Sequence, residues 1–80
     1  MITREDIAMY NPDAVMWDGF DEAIIGMTTN GSVVYDISKI HLLLMANGEM
    51  TLDEAIDYAE YNILCAHVGD FTPVHITTLK

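Results

Sequence analysis

The chain has 80 residues, enough for one small domain and not two. Three Lys and Arg against 13 Asp and Glu give a net charge of −10, which leaves almost no basic side chains to engage nucleic-acid phosphates directly. A hydrophobic content of 51% excludes intrinsic disorder, and the longest apolar run, Leu42 to Ala46, falls far short of the about 20 residues of a membrane span.

Residues 1–22 are patchy in apolar content and rich in Asp. Thr3 is placed to N-cap a short helical turn, with Asp6 three residues on as its reciprocal partner. Asn11-Pro12-Asp13 interrupts that turn. Pro12 suits the first position of a second short turn, Asp13 to Trp17, which Asp18-Gly19 then breaks.

Ala23 to Thr28 reads as a strand, β-branched and free of Pro. Gly26 within it marks a bulge or a close backbone approach. Asn30-Gly31 signals a two-residue type I′ hairpin turn, which needs positive φ at both positions. Ser32 to Tyr35 is the return strand.

Asp36 or Ser38 caps the next helix. Ile37, Ile40, Leu43 and Leu44 fall at helical spacing, and Leu42 and Met45 widen that stripe, so burial on more than one side is expected. Asn47-Gly48 ends the helix by tolerating the left-handed conformation. Thr51 with Glu54 at N3 forms a capping box, with Met50 and Ala55 at the staple positions. The helix it opens is predicted to run to about His67, with Leu52, Ala55, Ile56, Ala59, Ile63 and Ala66 on one face. Gly69 is a plausible stop, and Val74 to Thr78 reads as a last strand.

The predicted order is short α, β, β, α, α, β. The fold class is α+β: one domain over residues 1–80, with a three-stranded, mostly antiparallel sheet covered on one face by an αα-hairpin. The last strand pairs with one edge of the β-hairpin, and the sequence does not select which. The other face is left for a partner or a second copy. A core this small supplies roughly 3–5 kcal/mol, so some of the six Met, four Tyr, two Phe and Trp17 are expected at the surface, favouring a homo-oligomer or an obligate partner.

Two acidic groups stand out. Asp53, Asp57 and Glu60 recur at i, i+4, i+7, beside Tyr61. Carboxylates at i and i+4 are about 6 Å apart, close to the spacing of successive phosphates along a strand. They either mimic phosphates for a basic protein or form a solvated face, with Asp53 and Glu54 already explained by the positive end of the helix dipole. The second group is Asp13, Asp18, Asp21 and Glu22 around Trp17 and Phe20. Its spacing does not follow a calcium loop. It is either an aromatic–acid contact patch or a loop whose Trp17 packs down over the core, and the lid is favoured.

The single Cys65 rules out an intrachain disulfide and fits a reducing compartment. Cys65, His67, Asp70 and His75 have neither CxxC nor HxxxH spacing, and a structural Cys with surface histidines is expected. His41 sits in an apolar helix as a packing residue. Tyr58, Tyr61 and Asn62 form a polar–aromatic strip, either the polar edge of the core or a small-molecule wall. No phosphate loop and no nucleophile motif occurs, so no enzyme and no cofactor is expected. No basic stretch precedes an apolar one near the start, so no secretory leader is expected.

Gly19-Phe20 through Ala23-Ile24-Ile25-Gly26, Val33-Val34-Tyr35-Asp36, Met50-Thr51 with Glu54-Ala55, Tyr61-Asn62-Ile63, and Gly69-Asp70-Phe71-Thr72-Pro73-Val74 together resemble a group of small tailed-bacteriophage proteins. The resemblance covers residues 11–76. It carries no assigned activity and no site residues. It implies a phage-encoded accessory protein in the bacterial host cytoplasm.

Three functional expectations follow. The first is a non-enzymatic protein that binds a basic host protein through Asp53, Asp57, Glu60 and Tyr61, and through Trp17, Asp18 and Asp21, inhibiting a nucleic-acid-handling protein. The second is a self-assembling homo-oligomer that buries the open sheet face. The third is a small-molecule binder at an inter-subunit seam using Tyr58, Asn62 and His67.

Overall fold

A computed structural model describes residues 2–79. Helix α1 (Arg4–Tyr10) begins at the expected capping box. The Asp6 amide donates to the Thr3 hydroxyl at 3.2 Å, and the Thr3 amide donates to the Asp6 carboxylate at 2.9 Å. Two amides that the first turn would leave unpaired are thereby satisfied. Ile7 carries α1 into the core.

The second turn expected at Asp13 to Trp17 does not form. Asn11 diverts the local hydrogen bonds: its side-chain oxygen accepts the Asp13 amide at 3.1 Å and its carbonyl accepts the Ala14 amide at 3.1 Å. Such an Asx turn competes directly with helix. Residues 14–17 run on without regular structure.

A short 3₁₀ turn (Asp21–Ala23) leads into β1 (Ile24–Met27), which pairs antiparallel with β2 (Val33–Asp36). Ile24 lies opposite Tyr35 and Gly26 opposite Val34, so Ile25 is an extra residue bulged outward beside Gly26. The hairpin turn is not type I′. Gly31 has φ of +100°, but Asn30 has no positive φ. The Gly31 amide donates to the Thr28 carbonyl at 3.1 Å and the Thr28 amide to the Ser32 carbonyl at 2.8 Å. The loop is therefore the three residues Thr29, Asn30 and Gly31, a form that asks for a left-handed residue only at its last position.

Asp36 caps α2 (Ile37–Gly48) by accepting the Ser38 amide at 3.0 Å. Ile40 and Leu44 are buried, while Ile37, Leu43 and Met45 are half-buried against the core. Leu42 is 60% exposed, so α2 buries one side only. Position 42 points away from positions 40 and 44 on a helix of 3.6 residues per turn. The left-handed residue that ends α2 is Glu49, at φ 54°, and Gly48 stays helical.

The Thr51–Glu54 capping box opens α3 (Leu52–Ala59) as expected. The helix does not reach His67. It passes into a π-helical turn (Glu60–Leu64) and stops at Cys65. Ala55, Ala59 and Ile63 are the buried stripe; Leu52 is half-exposed and Ala66 lies beyond the helix.

Strand β3 (Val74–Ile76) is shorter than expected and pairs parallel with β2, placing Val34 opposite Val74 and Tyr35 opposite His75. The strand order β1-β2-β3 makes the sheet mixed, with one antiparallel and one parallel pair. The α2–α3 hairpin is the crossover that a parallel pair requires. Alternation along β2 turns Val33 and Tyr35 inward and leaves Val34 and Asp36 half-buried on the other face. Tyr35, Ile7, Ile40 and Val33 are the largest fully buried side chains. No helix among the described residues is long and apolar enough to cross a membrane.

Candidate functional site

The acidic group on α3 is held out to solvent. Asp53, Asp57 and Glu60 are exposed, and Tyr61, on the π-helical turn, is 81% exposed. Glu54 beside them is committed to structure: it accepts the Thr51 amide at 2.9 Å, and that bond holds its carboxyl below the usual range. Both ion pairs among the described residues belong to Arg4, so Asp53, Asp57 and Glu60 keep their charge uncompensated by any described side chain.

The π-helical turn also explains Asn62. Its side-chain amide donates to the Tyr58 carbonyl at 3.0 Å, supplying a partner where the helix ladder changes register. His67 lies near a tight loop. There the Thr72 hydroxyl accepts the Val68 amide at 3.0 Å, donates to the Gly69 carbonyl at 2.8 Å and lies 3.3 Å from His67 Nδ1. Asn62 and His67 thus each have local hydrogen-bond partners of their own, and no hydrogen bond joins them to one another.

The second acidic group is arranged differently. Trp17 is half-buried against the core. Its backbone amide donates to the Tyr35 hydroxyl at 2.8 Å, and its indole N–H donates to His75 Nε2 at 2.9 Å. The Trp17 and His75 ring planes are within 8° of parallel, which brings the indole N–H into line with the imidazole lone pair. The Trp17 side chain is therefore a lid on the sheet and not a projecting anchor.

Asp18 and Asp21 converge on Arg4. The guanidinium donates to both oxygens of Asp21, at 2.8 and 3.0 Å, and to Asp18 at 3.2 Å. The bond to Asp21 is the main reason the Arg4 pKa is raised further. Asp18 remains 98% exposed. Arg4 was not among the expected residues. The signal was present, since a lone early Arg in a chain of net −10 has carboxylates on every side, but spacing does not say which of them it meets.

No hydrogen bond or ion pair among the described residues links the Trp17 loop to the acidic face of α3. They are two separate features. Cys65 is exposed and free, and no three His, Cys, Asp or Glu side chains gather as a metal set among the described residues. Two open grooves of about 320 Å³ each lie elsewhere. Ile2, Asp6, Ile7, Tyr10, Gly26 and Met27 line one, and Tyr10, Asn11, Thr29, Asn30, Gly31 and Phe71 line the other. Neither includes a residue proposed from the sequence as a partner- or ligand-binding residue. Comparison with protein-family models, curated proteins and solved structures gives no match.

Proposed function

We propose that this protein is a non-enzymatic binding module whose α3 face captures a basic partner protein. The observation that supports this most directly is the set of exposed carboxylates on Asp53, Asp57 and Glu60, without a counter-charge among the described residues, next to a Tyr61 ring that is 81% exposed. Carboxylates along α3 and at the start of the π-helical turn that continues it attract a basic surface and set its register, and an exposed tyrosine supplies apolar contact at low entropic cost. In the tailed-phage setting, the fitting partner is a host nucleic-acid-handling protein whose phosphate-binding groove these carboxylates occupy. The test is capture from bacterial lysate by the tagged chain, at low salt and at about 0.5 M salt, where charge attraction is screened within a few Å. Salt-sensitive capture of a basic protein, lost in Asp57→Lys/Glu60→Lys, is the expected result. Capture that survives both changes overturns this assignment.

A second reading is favoured by the outward face of the sheet. Ile25, Val74 and Ile76 are about two-fifths exposed there, at 42%, 39% and 41%. Burial of that face between copies would make a homo-oligomer. A molar mass in solution that stays monomeric at every concentration eliminates it.

A further inference from the structure

The contact between Trp17 and His75 joins an irregular loop to the last strand across 58 residues of sequence. Residues 14–17 have no backbone ladder of their own, so side-chain contacts decide where this loop lies. Three sets of bonds hold it: the Trp17 amide on Tyr35, the Trp17 indole on His75, and the Arg4 guanidinium on Asp18 and Asp21. Only one of them depends on a group that titrates near neutrality.

His75 Nε2 accepts the indole proton, so the neutral ring carries its own proton on Nδ1. A second proton has to enter at Nε2. Two N–H donors would then face each other across 2.9 Å, and the bond becomes a repulsion. We propose that the Trp17–His75 contact is a proton-operated latch, which opens when the imidazole is protonated and frees the Trp17 side chain from the sheet. This does not rest on the partner assigned to the α3 face, because the loop moves with or without a partner present.

The groups around the ring support a latch that stays closed at neutral pH. Tyr35 faces the imidazole from β2, with ring centroids 5.9 Å apart, and burial raises its pKa, so it stays neutral. On the loop side, Asp18 and Asp21 are tied to Arg4. On β3 itself, Val74 and Ile76 do not titrate. Burial lowers the His75 pKa from its ordinary 6.5. The neutral ring is thus the form the fold favours. Closure is complete above the ordinary histidine range and lost as the pH falls through the lowered value.

Trp17 is the sole tryptophan, so its fluorescence reports this loop alone. The experiment titrates the full chain from about pH 8 to about pH 5 and reads emission wavelength, acrylamide quenching and far-UV circular dichroism together. The expected result is a red shift and a gain in quenching with one midpoint, while the dichroism stays constant. His75→Gln retains an acceptor but no titrating ring, and should abolish the shift. His41→Gln and His67→Gln should keep it. An unshifted wild type, a shift that survives in His75→Gln, or a shift that coincides with loss of dichroism overturns the proposal. Should His75→Gln not fold, the Trp17 indole N–H and the His75 ring are followed by NMR in the wild type. A common midpoint supports the latch and different midpoints overturn it.

Discussion

The Tyr35 hydroxyl accepts the Trp17 backbone amide at 2.8 Å, so a fully buried ring on the central strand fixes the path of a loop that has no ladder of its own. Tyr35→Phe keeps the ring and removes the acceptor. A half-buried amide without a partner costs about 1–3 kcal/mol. Urea unfolding should show a lower midpoint with an unchanged slope, and an unchanged midpoint would mean that water replaces the hydroxyl.

Gly31 and Gly69 both hold positive φ, at 100° and 114°, but only Gly31 is crowded. A Cβ on Gly31 would lie 2.6 Å from Asn11 Nδ2 and 3.3 Å from the Phe71 ring, whereas a Cβ on Gly69 meets nothing within 4 Å. Gly31→Ala also disturbs the 2.9 Å bond from Asn11 to the Gly31 carbonyl. The backbone term is about 1 kcal/mol at either site, and the lost bond adds about 1 kcal/mol at Gly31. Thermal unfolding should therefore fall about twice as far for Gly31→Ala as for Gly69→Ala; equal losses would remove the steric account.

Thr51→Ala removes the N-cap of α3 and should cost about 1 kcal/mol in chemical denaturation. The caps also make stability depend on pH. Bonds from Thr3 and Thr51 hold the Asp6 and Glu54 carboxyls below their ordinary values of 3.8 and 4.5. A depressed carboxyl stabilises fully above its unfolded value and ceases to do so as pH falls through the folded one. Melting temperature should decline from about pH 5 downward, and less steeply in Asp6→Asn/Glu54→Gln, whose amides still accept the Thr3 and Thr51 backbone N–H but do not titrate. Identical slopes in the two proteins would show that the caps do not carry the dependence.

Ile40 and Leu42 sit two residues apart on α2 with opposite fates, 0% and 60% exposed. Ile40→Ala should cost about 2–5 kcal/mol, comparable to the whole stability of so small a domain. Leu42→Ala should stay within about 0.5 kcal/mol. A cooperative unfolding transition of normal midpoint in Ile40→Ala would contradict its placement in the core.

The two capping boxes are local, and both were legible in the sequence, whereas the Asp36 cap and the bulge beside Gly26 were each one of two readings it left open. Reciprocal bonds between residues three apart depend on nothing beyond their own turn. The exposure of Asp53 and Asp57 was legible for the same reason, since α-helical spacing sets it, while Glu60 opens the π-helical turn that the sequence did not announce. Local competition decided less predictably. Asn11 prevented a helical turn that Pro12 would have allowed, and the Thr29–Gly31 loop replaced a shorter turn that Asn30-Gly31 also suits.

What only the tertiary structure decided are the pairings between distant segments. The side of β2 that β3 takes, the Arg4 clamp on Asp18 and Asp21, and the seating of Trp17 between Tyr35 and His75 join residues 14 to 58 positions apart. No periodicity encodes such a contact. It exists because the α2–α3 crossover returns the chain beside β2, where buried hydrogen-bonding groups must find partners among whatever the fold brings there.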